Sequence, residues 1–228
     1  MPTVMGYFAA NTKHSNRSTI GGVTFLFIGL SIALLTQVGS ENVLYSCLTL
    51  ASFKLISLIM LYLLKLNDDA TPTQSLVSYR DVLLNRSFML YLLPWVMFNL
   101  TNYLTVPVLN NFIEGAMLIQ LSLMAETIIS ALVAVLAGLL ADKFGRKRLL
   151  IVGFAFLGIG YAVLGISQTT LGWFFYICAD GVAWGIFFTL FLFTVWGDLA
   201  KNKSSEKFYV IGAMPYLLSN FMRLLFEP

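Results

Sequence analysis

The sequence predicts an all-α membrane protein, a polytopic helical bundle of six complete transmembrane helices followed by the start of a seventh. Composition is the first reason. Of 228 residues 58% are apolar and 11% charged, with a mean hydropathy of +0.82, whereas soluble globular chains carry about a quarter charged residues. The second is spacing: apolar stretches of about twenty residues, the length a helix needs to cross roughly 30 Å of hydrocarbon, succeed one another along the whole chain. The third is charge, because Lys and Arg gather in short runs between those stretches.

The segment Met1 to Ser18 carries Lys13, His14 and Arg17, and no cleavage-site pattern follows the next apolar run, so a removable signal peptide is not indicated. The expected spans are Ile20 to Val38, Val43 to Leu64, Ser87 to Leu109, Ile113 to Leu140, Leu149 to Ile166 and Leu171 to Val195, with a seventh beginning near Val210. The connectors alternate. Gly39 to Asn42, Asn110 to Phe112 and Ser167 to Thr170 are very short and hold no Lys or Arg. Lys65 to Arg86, Ala141 to Arg148 and Trp196 to Tyr209 are longer and carry most of the basic residues. Positive charge marks the cytoplasmic side, so the amino terminus and the longer loops are expected there, in a multi-pass protein of the cell membrane. Only Lys54 and Arg223 fall within spans, and Lys54 has no evident task.

The Lys65 to Arg86 connector is the most polar stretch and reads as a linker between two bundles, with Tyr79 to Arg86 a short amphipathic entry into the third span. The last span holds Pro215 and Arg223 and reads as a truncated helix. Cys47 and Cys178 have no paired spacing, so neither a disulfide framework nor a metal site is expected and both read as packing residues. The basic runs read as topology signals, which argues against a nucleic-acid partner.

The most informative connector is Gly138, Leu139, Leu140, Ala141, Asp142, Lys143, Phe144, Gly145, Arg146, Lys147, Arg148. Gly138 allows close helix approach, and Gly145 permits a turn that a β-carbon resists. Asp142, at a helix end, suits the positive amino end of a neighbouring helix, and the basic cluster suits an acid on another helix or lipid phosphates. This segment resembles the signature loop of the major facilitator superfamily: a glycine, three residues, an aspartate, a basic residue, one residue, a glycine and two basic residues. The resemblance implies a secondary transporter. In that family the loop joins the second and third helices, and a degenerate copy joins the eighth and ninth. The second placement makes the spans here the fifth to the tenth plus part of the eleventh. Residues 1–66 would then end the amino-terminal bundle, 67–86 would be the cytoplasmic inter-bundle linker, and 87–228 would be a truncated carboxyl-terminal bundle. The drug-proton antiporter branch carries a glycine-proline motif in its fifth helix; the first span here has Gly21, Gly22 and Gly29 but no proline, which disfavours that branch.

Ionisable residues at membrane depth cost about 2.5 to 3.5 kcal/mol each and need a partner or a water-filled cavity. Glu126 sits mid-span with Ser122 and Ser130 one turn either side on the same face. It reads as a proton-coupling or substrate-contact carboxylate, or equally as a structural hydrogen bond between helices. Asn99, Asn102 and Thr105 make a similar stripe on the third span, and Asp180 lies well inside the sixth, where Gly181 and Gly185 point rather to packing. The family places its seventh, eighth and tenth helices around the central cavity, which is where these three spans would be. Asp198 is the natural partner of the basic loop, giving an expected gate network of Asp142, Arg146 and Asp198, with Gly138, Lys143, Gly145 and Lys147 in the same loop. The aromatics Trp173, Phe174, Phe175 and Tyr176 read as an interfacial belt.

The function expected is alternating-access transport of a small solute by a full transporter of which this chain is a fragment, with or without a coupled proton or ion, with the lipid bilayer as its setting and no cofactor. A non-transporting membrane sensor or scaffold with the same fold is the alternative. An enzyme is not expected, since neither a His-Glu-x-x-His nor a Gly-x-Ser-x-Gly pattern occurs and the sole histidine lies outside the spans.

Overall fold

The computed structural model describes residues 2–39, 43–63, 77–110, 116–200, 203 and 205–226. Within them the chain is helical: α1 (Pro2–Asn11), α2 (Arg17–Gly39), α3 (Val43–Leu63), α4 (Tyr79–Leu83), α5 (Arg86–Asn110), α6 (Ala116–Phe144), α7 (Arg146–Ile166), α8 (Thr170–Phe187), a π-helical stretch (Phe188–Thr194), α9 (Val195–Ala200) and α10 (Ser205–Phe226). Three stretches are long and apolar enough to cross a membrane, Gln120–Phe144, Arg146–Ile166 and Thr170–Ala200. They coincide with the expected fourth, fifth and sixth spans. Their outer faces expose Leu132, Leu136, Leu139, Ile151 and Ile159, a surface that hydrocarbon tolerates and water does not. The chain is therefore membrane-embedded. Shorter apolar helices, Arg17–Ile32 and Cys47–Ile56, overlap the expected first and second spans. Most of the expected linker falls on residues 64–76, outside the described residues, as do the connectors at 40–42 and 111–115.

Local sequence accounts for the boundaries. Ser78 and Asp81 form a capping box that starts α4, and Asn85 Oδ1 accepts from the Ser87 and Phe88 amides to start α5. Thr169 caps α8 through the Gly172 amide. The expected Ala141 to Arg148 connector is mostly helix: only Gly145, at φ +97°, separates α6 from α7. Lys and Arg are good helix formers, so the charges marking the membrane edge do not break the helix there. The sixth expected span likewise continues past Val195 to Ala200, because Trp196 and Ala200 are buried and the helix is held by packing. Helix α1 stands where the sequence reading has only a basic leader.

Packing makes the α8 to α9 rod the axis of the bundle: 78% of its apolar window is buried, against 28% in α6 and 33% in α7. The chain brings α2 and α6 together antiparallel through glycines. A β-carbon at Gly22 would meet the Ala134 carbonyl oxygen at 2.2 Å, one at Gly29 the Ala131 β-carbon at 2.7 Å, and one at Gly138 the Ser18 carbonyl oxygen at 2.4 Å. Parallel to α6 runs α8: Trp173 Nε1 donates to Ser122 Oγ at 2.8 Å, Gly181 abuts Ile129 and the Glu126 carbonyl, Gly185 abuts the Ser130 carbonyl, and Thr189 Oγ1 donates to the Ala134 carbonyl at 3.3 Å. On the other side α5 runs antiparallel to the rod, with ring pairs Phe88 to Trp196, Trp95 to Phe191 and Phe98 to Trp184 at 5.0, 4.6 and 4.8 Å. Trp95 Nε1 donates to the Gly212 carbonyl of α10 at 2.9 Å.

Cys47 and Cys178 are free and exposed rather than packed. The expected aromatic belt divides, because α8 turns Trp173 and Tyr176 into the bundle while Phe174 and Phe175 stay outside. Lys54 is on an exposed part of α3.

Gly138→Val is expected to lower unfolding stability in detergent by about 1–3 kcal/mol, the range for overpacking a tight contact. Gly158→Ala, where a β-carbon meets nothing within 4 Å, is the matched control and is expected to leave the thermal midpoint unmoved.

Candidate functional site at the charged helix ends

The first described residues of α2 present backbone N–H groups that have no partner within their own helix. Asp142, in the last turn of α6, accepts them. Its Oδ2 takes the Thr19 amide and the Thr19 hydroxyl, each at 2.8 Å, and its Oδ1 takes the Ser18 amide at 3.3 Å. A carboxylate there also meets the positive end of the helix dipole. Reaching that position requires α6 to approach α2 within the space that Gly138 leaves open.

One turn on, after the positive-φ Gly145, Arg146 begins α7 and folds back over this contact. Its Nη2 lies 3.1 Å from Asp142 Oδ1 and also donates to the His14 carbonyl. Its Nε lies 2.8 Å from Asp198 Oδ2; the angle makes this an ion pair rather than a hydrogen bond, so neither atom counts as hydrogen-bonded. Asp198, on α9, takes a second cation on its other oxygen, Arg17 Nη1 at 2.6 Å. His14 Nε2 approaches Asp198 Oδ2 at 3.3 Å from an exposed position.

Arg17 is the hub of the cluster. Beyond Asp198 its guanidinium donates to the Ala9 carbonyl at 2.7 Å, the Thr12 carbonyl at 3.0 Å and Thr12 Oγ1 at 3.0 Å, tying the end of α1 to the start of α2. Gly197 lets this happen, since a β-carbon there would meet Ala9, Tyr209 and Arg17 at 2.8, 2.8 and 3.2 Å. At its other end α1 rests on α10, where Ser205 Oγ donates to the Gly6 carbonyl at 3.4 Å. Beside the cluster opens a cavity of about 520 Å³ whose walls include His14, Tyr91, Arg146, Lys147 and Asp198.

Of the residues singled out from the sequence, the structure brings Gly138, Asp142, Gly145, Arg146 and Asp198 to this one place. Lys143 does not join them; it is exposed, with its ammonium 5.3 Å from the Phe144 ring centroid. Lys147 lines the cavity from an exposed position without an ion pair. Arg17 and His14 were read as topology charge and as an isolated histidine, and belong to the cluster. Their signal was sequence proximity to the first span; their partner is 181 residues away.

The second group lies in the interior. Asp180 and Asn99 are buried, and Oδ1 of each accepts no hydrogen bond among the described residues. Asn99 Nδ2 donates to the Trp95 carbonyl at 2.7 Å, and Asn102 is buried too. Glu126 is half-buried on α6, level with Gly181. The side chain of Thr105 lies outside the described residues. Among the described residues no group of three or more His, Cys, Asp or Glu is placed to hold a metal ion.

Comparison with protein-family models, with curated proteins and with solved structures returns no match to this chain.

Removing Arg17 leaves Asp198 with Arg146 as its remaining guanidinium partner but strips charge-assisted hydrogen bonds from Asp198 and from the Ala9 and Thr12 carbonyls in a largely buried place. Arg17→Ala is expected to destabilise the protein by about 2 kcal/mol on that ground, whereas Lys147→Ala on the exposed side is expected to stay within about 0.5 kcal/mol. Chemical unfolding in detergent micelles at two salt concentrations checks both, with the Arg17 effect nearly salt-independent because the pair is shielded from solvent.

Proposed function

We propose that this chain is part of a secondary transporter that moves a small solute by alternating access, carried with or against a proton or ion, and that the charged cluster is its gate on the cytoplasmic side. On the major-facilitator reading, α2 and α3 are the fifth and sixth helices, α5 to α8 with its continuation are the seventh to tenth, and α10 begins the eleventh. Helix α2 then belongs to one bundle and α6 to the other.

The observation that carries the reading is that Asp142, Arg146, Asp198 and Arg17 connect the helix ends before the linker with those after it. Charges suit a contact that must break and re-form. When the bundles part, water replaces each lost hydrogen bond, so opening costs far less than exposing an equal apolar area. The glycine seam between α2 and α6 contributes the other half of the device: helices that touch backbone to backbone hold closely while shut and share few interlocked side chains that oppose separation. The basic residues of the α6 to α7 junction support the cytoplasmic assignment of this end.

The test is transport itself. Proteoliposomes carrying the complete transporter of which the reading makes this chain a part are incubated with a mixture of small metabolites, and the trapped solutes are compared by mass spectrometry with those of empty liposomes. At least one solute is expected to accumulate, with Arg146→Ala and Asp198→Ala each lowering its uptake roughly tenfold and the double variant no further, as for residues acting as one coupled unit. Accumulation equal to that of empty liposomes, in protein whose α2 amino end is still protected from amide exchange, would overturn the reading.

A further inference from the structure

Helix α3 is the least packed of the long helices. From Leu44 to Ile59 every described side chain is exposed except Thr49, which is half-buried. The exposed surface is apolar: Leu48, Leu50, Leu55, Ile56, Leu58 and Ile59 each present more than half of their area. Its 21 residues make a rod of about 31 Å, close to the thickness of the hydrocarbon core.

Lys54 interrupts this surface. It is the only charged residue of α3 and the twelfth of the 21, so it stands at the middle of the rod. The nearer end, Leu63, is nine residues on, about 14 Å along the axis, and a four-methylene stem does not carry an ammonium that far. Among the described residues Lys54 has neither an ion pair nor a hydrogen-bond partner; the ion pairs there draw on His14, Arg17 and Arg146. No residue of α3 lines the cavity beside the charged cluster. An ammonium at mid-membrane depth is costly, and such residues are kept where a carboxylate or a water-filled cavity answers them.

We propose that α3 docks a partner transmembrane helix that carries an aspartate or glutamate level with Lys54. The ammonium and the carboxylate cancel each other's charge and satisfy each other's hydrogen bonds. One turn before Lys54 stand Leu50 and Ala51, and one turn after it Leu58, all exposed on its face, and these supply the surrounding helix contact. A second copy of α3 does not fit, because two-fold pairing sets Lys54 against Lys54. The mid-span acids of a second copy do not fit either: Asp180 is buried, and Glu126 is half-buried where α6 meets α8. A lipid phosphate stays at the membrane surface, above the reach of the side chain. The pairing holds whether or not the protein carries a solute, so it goes beyond the transport reading.

Site-specific cross-linking tests it. Cys47 lies two turns from Lys54 on the same face, and Cys178, free and exposed on α8, is the control. The chain is reconstituted in liposomes with a synthetic transmembrane peptide of alternating leucine and alanine. The peptide has glutamate at its centre and a cysteine two turns before it or, in a second version, two turns after it, and disulfides are formed with copper phenanthroline. One version is expected to cross-link to Cys47 at least roughly fivefold more than the same peptide with central leucine, with no such preference at Cys178. Lys54→Leu is expected to remove the preference, and Lys54→Glu with a central-lysine peptide to restore it. Amide protection at the start of α2 reports that each variant is folded. Equal cross-linking of the glutamate and leucine peptides, a preference unchanged in Lys54→Leu, the same preference at Cys178, or no restoration by the charge exchange would each overturn the proposal. So would Cys47-to-Cys47 dimers outnumbering peptide adducts with the peptide in excess, since the occupant would then be a second copy.

Discussion

The amino end of α2 imposes the constraint on which the charged half of the molecule rests. Its first amides point away from their own helix and lie against other chain segments, so an acceptor must be delivered to them. Asp142 is that acceptor, and the demands multiply from there. The carboxylate arrives only if α6 comes within the clearance left by Gly138 and the glycines of α2. It keeps its place because Arg146 closes over it, and Arg146 turns back because Gly145 takes a φ that other residues resist. Arg146 then needs a second acid, Asp198, which draws Arg17 and through it α1. A backbone problem at one helix end thus orders five elements.

The two polar groups of the bundle follow opposite rules. At the helix ends Arg17 and Arg146 face Asp142 and Asp198, two cations against two anions, and the carbonyls of Ala9, Thr12 and His14 take the spare guanidinium donors. That cluster is complete in itself, as a structural or gating contact should be. In the interior, Glu126 and Asp180 have no such cation among the described residues, and two oxygens are left open in an aromatic setting. Self-sufficiency in one place and deficit in the other distinguish the two groups more clearly than burial does.

Much of the helical plan was legible because hydrocarbon imposes length and apolarity directly on sequence. The Gly138 to Arg148 junction was legible for the same kind of reason, since a tight approach and a left-handed turn both leave glycine behind. Boundaries were less so. Charges at 141–148 and 196–200 mark the membrane edge, and were read as loop, whereas helices run through both and break only at Gly145. Helix α1 was invisible because its residues show neither a polar face nor a capping pattern; burial of Ala9 and the Arg17 bonds hold it. The role of Arg17 could not be read locally, since its partner follows 181 residues later. That Glu126 lies level with Asp180 is a property of the α6 and α8 registers, which composition does not encode.

The π-helical stretch explains how one rod serves both groups. Asp180 and Asp198 stand eighteen residues apart, which at ~3.6 residues per turn is five whole turns and would place them on the same face of an uninterrupted α-helix. They do not serve the same side: Asp180 lies beside Gly181, which abuts α6, and Asp198 joins the ends of α2 and α7. Between them Phe188 to Thr194 adopt π geometry, in which each hydrogen-bonded ring takes one residue more and the chain is under-wound. That change of phase turns the carboxyl-terminal part of the rod relative to the first. The backbone groups it disturbs are answered from outside the ladder, by Thr194 Oγ1 to the Thr189 carbonyl at 2.9 Å and Tyr209 Oη to the Phe193 carbonyl at 2.7 Å. Tyr209 also crowds Gly197, one residue before Asp198. The irregularity in the rod and the backbone beside Asp198 are therefore both in contact with the same side chain.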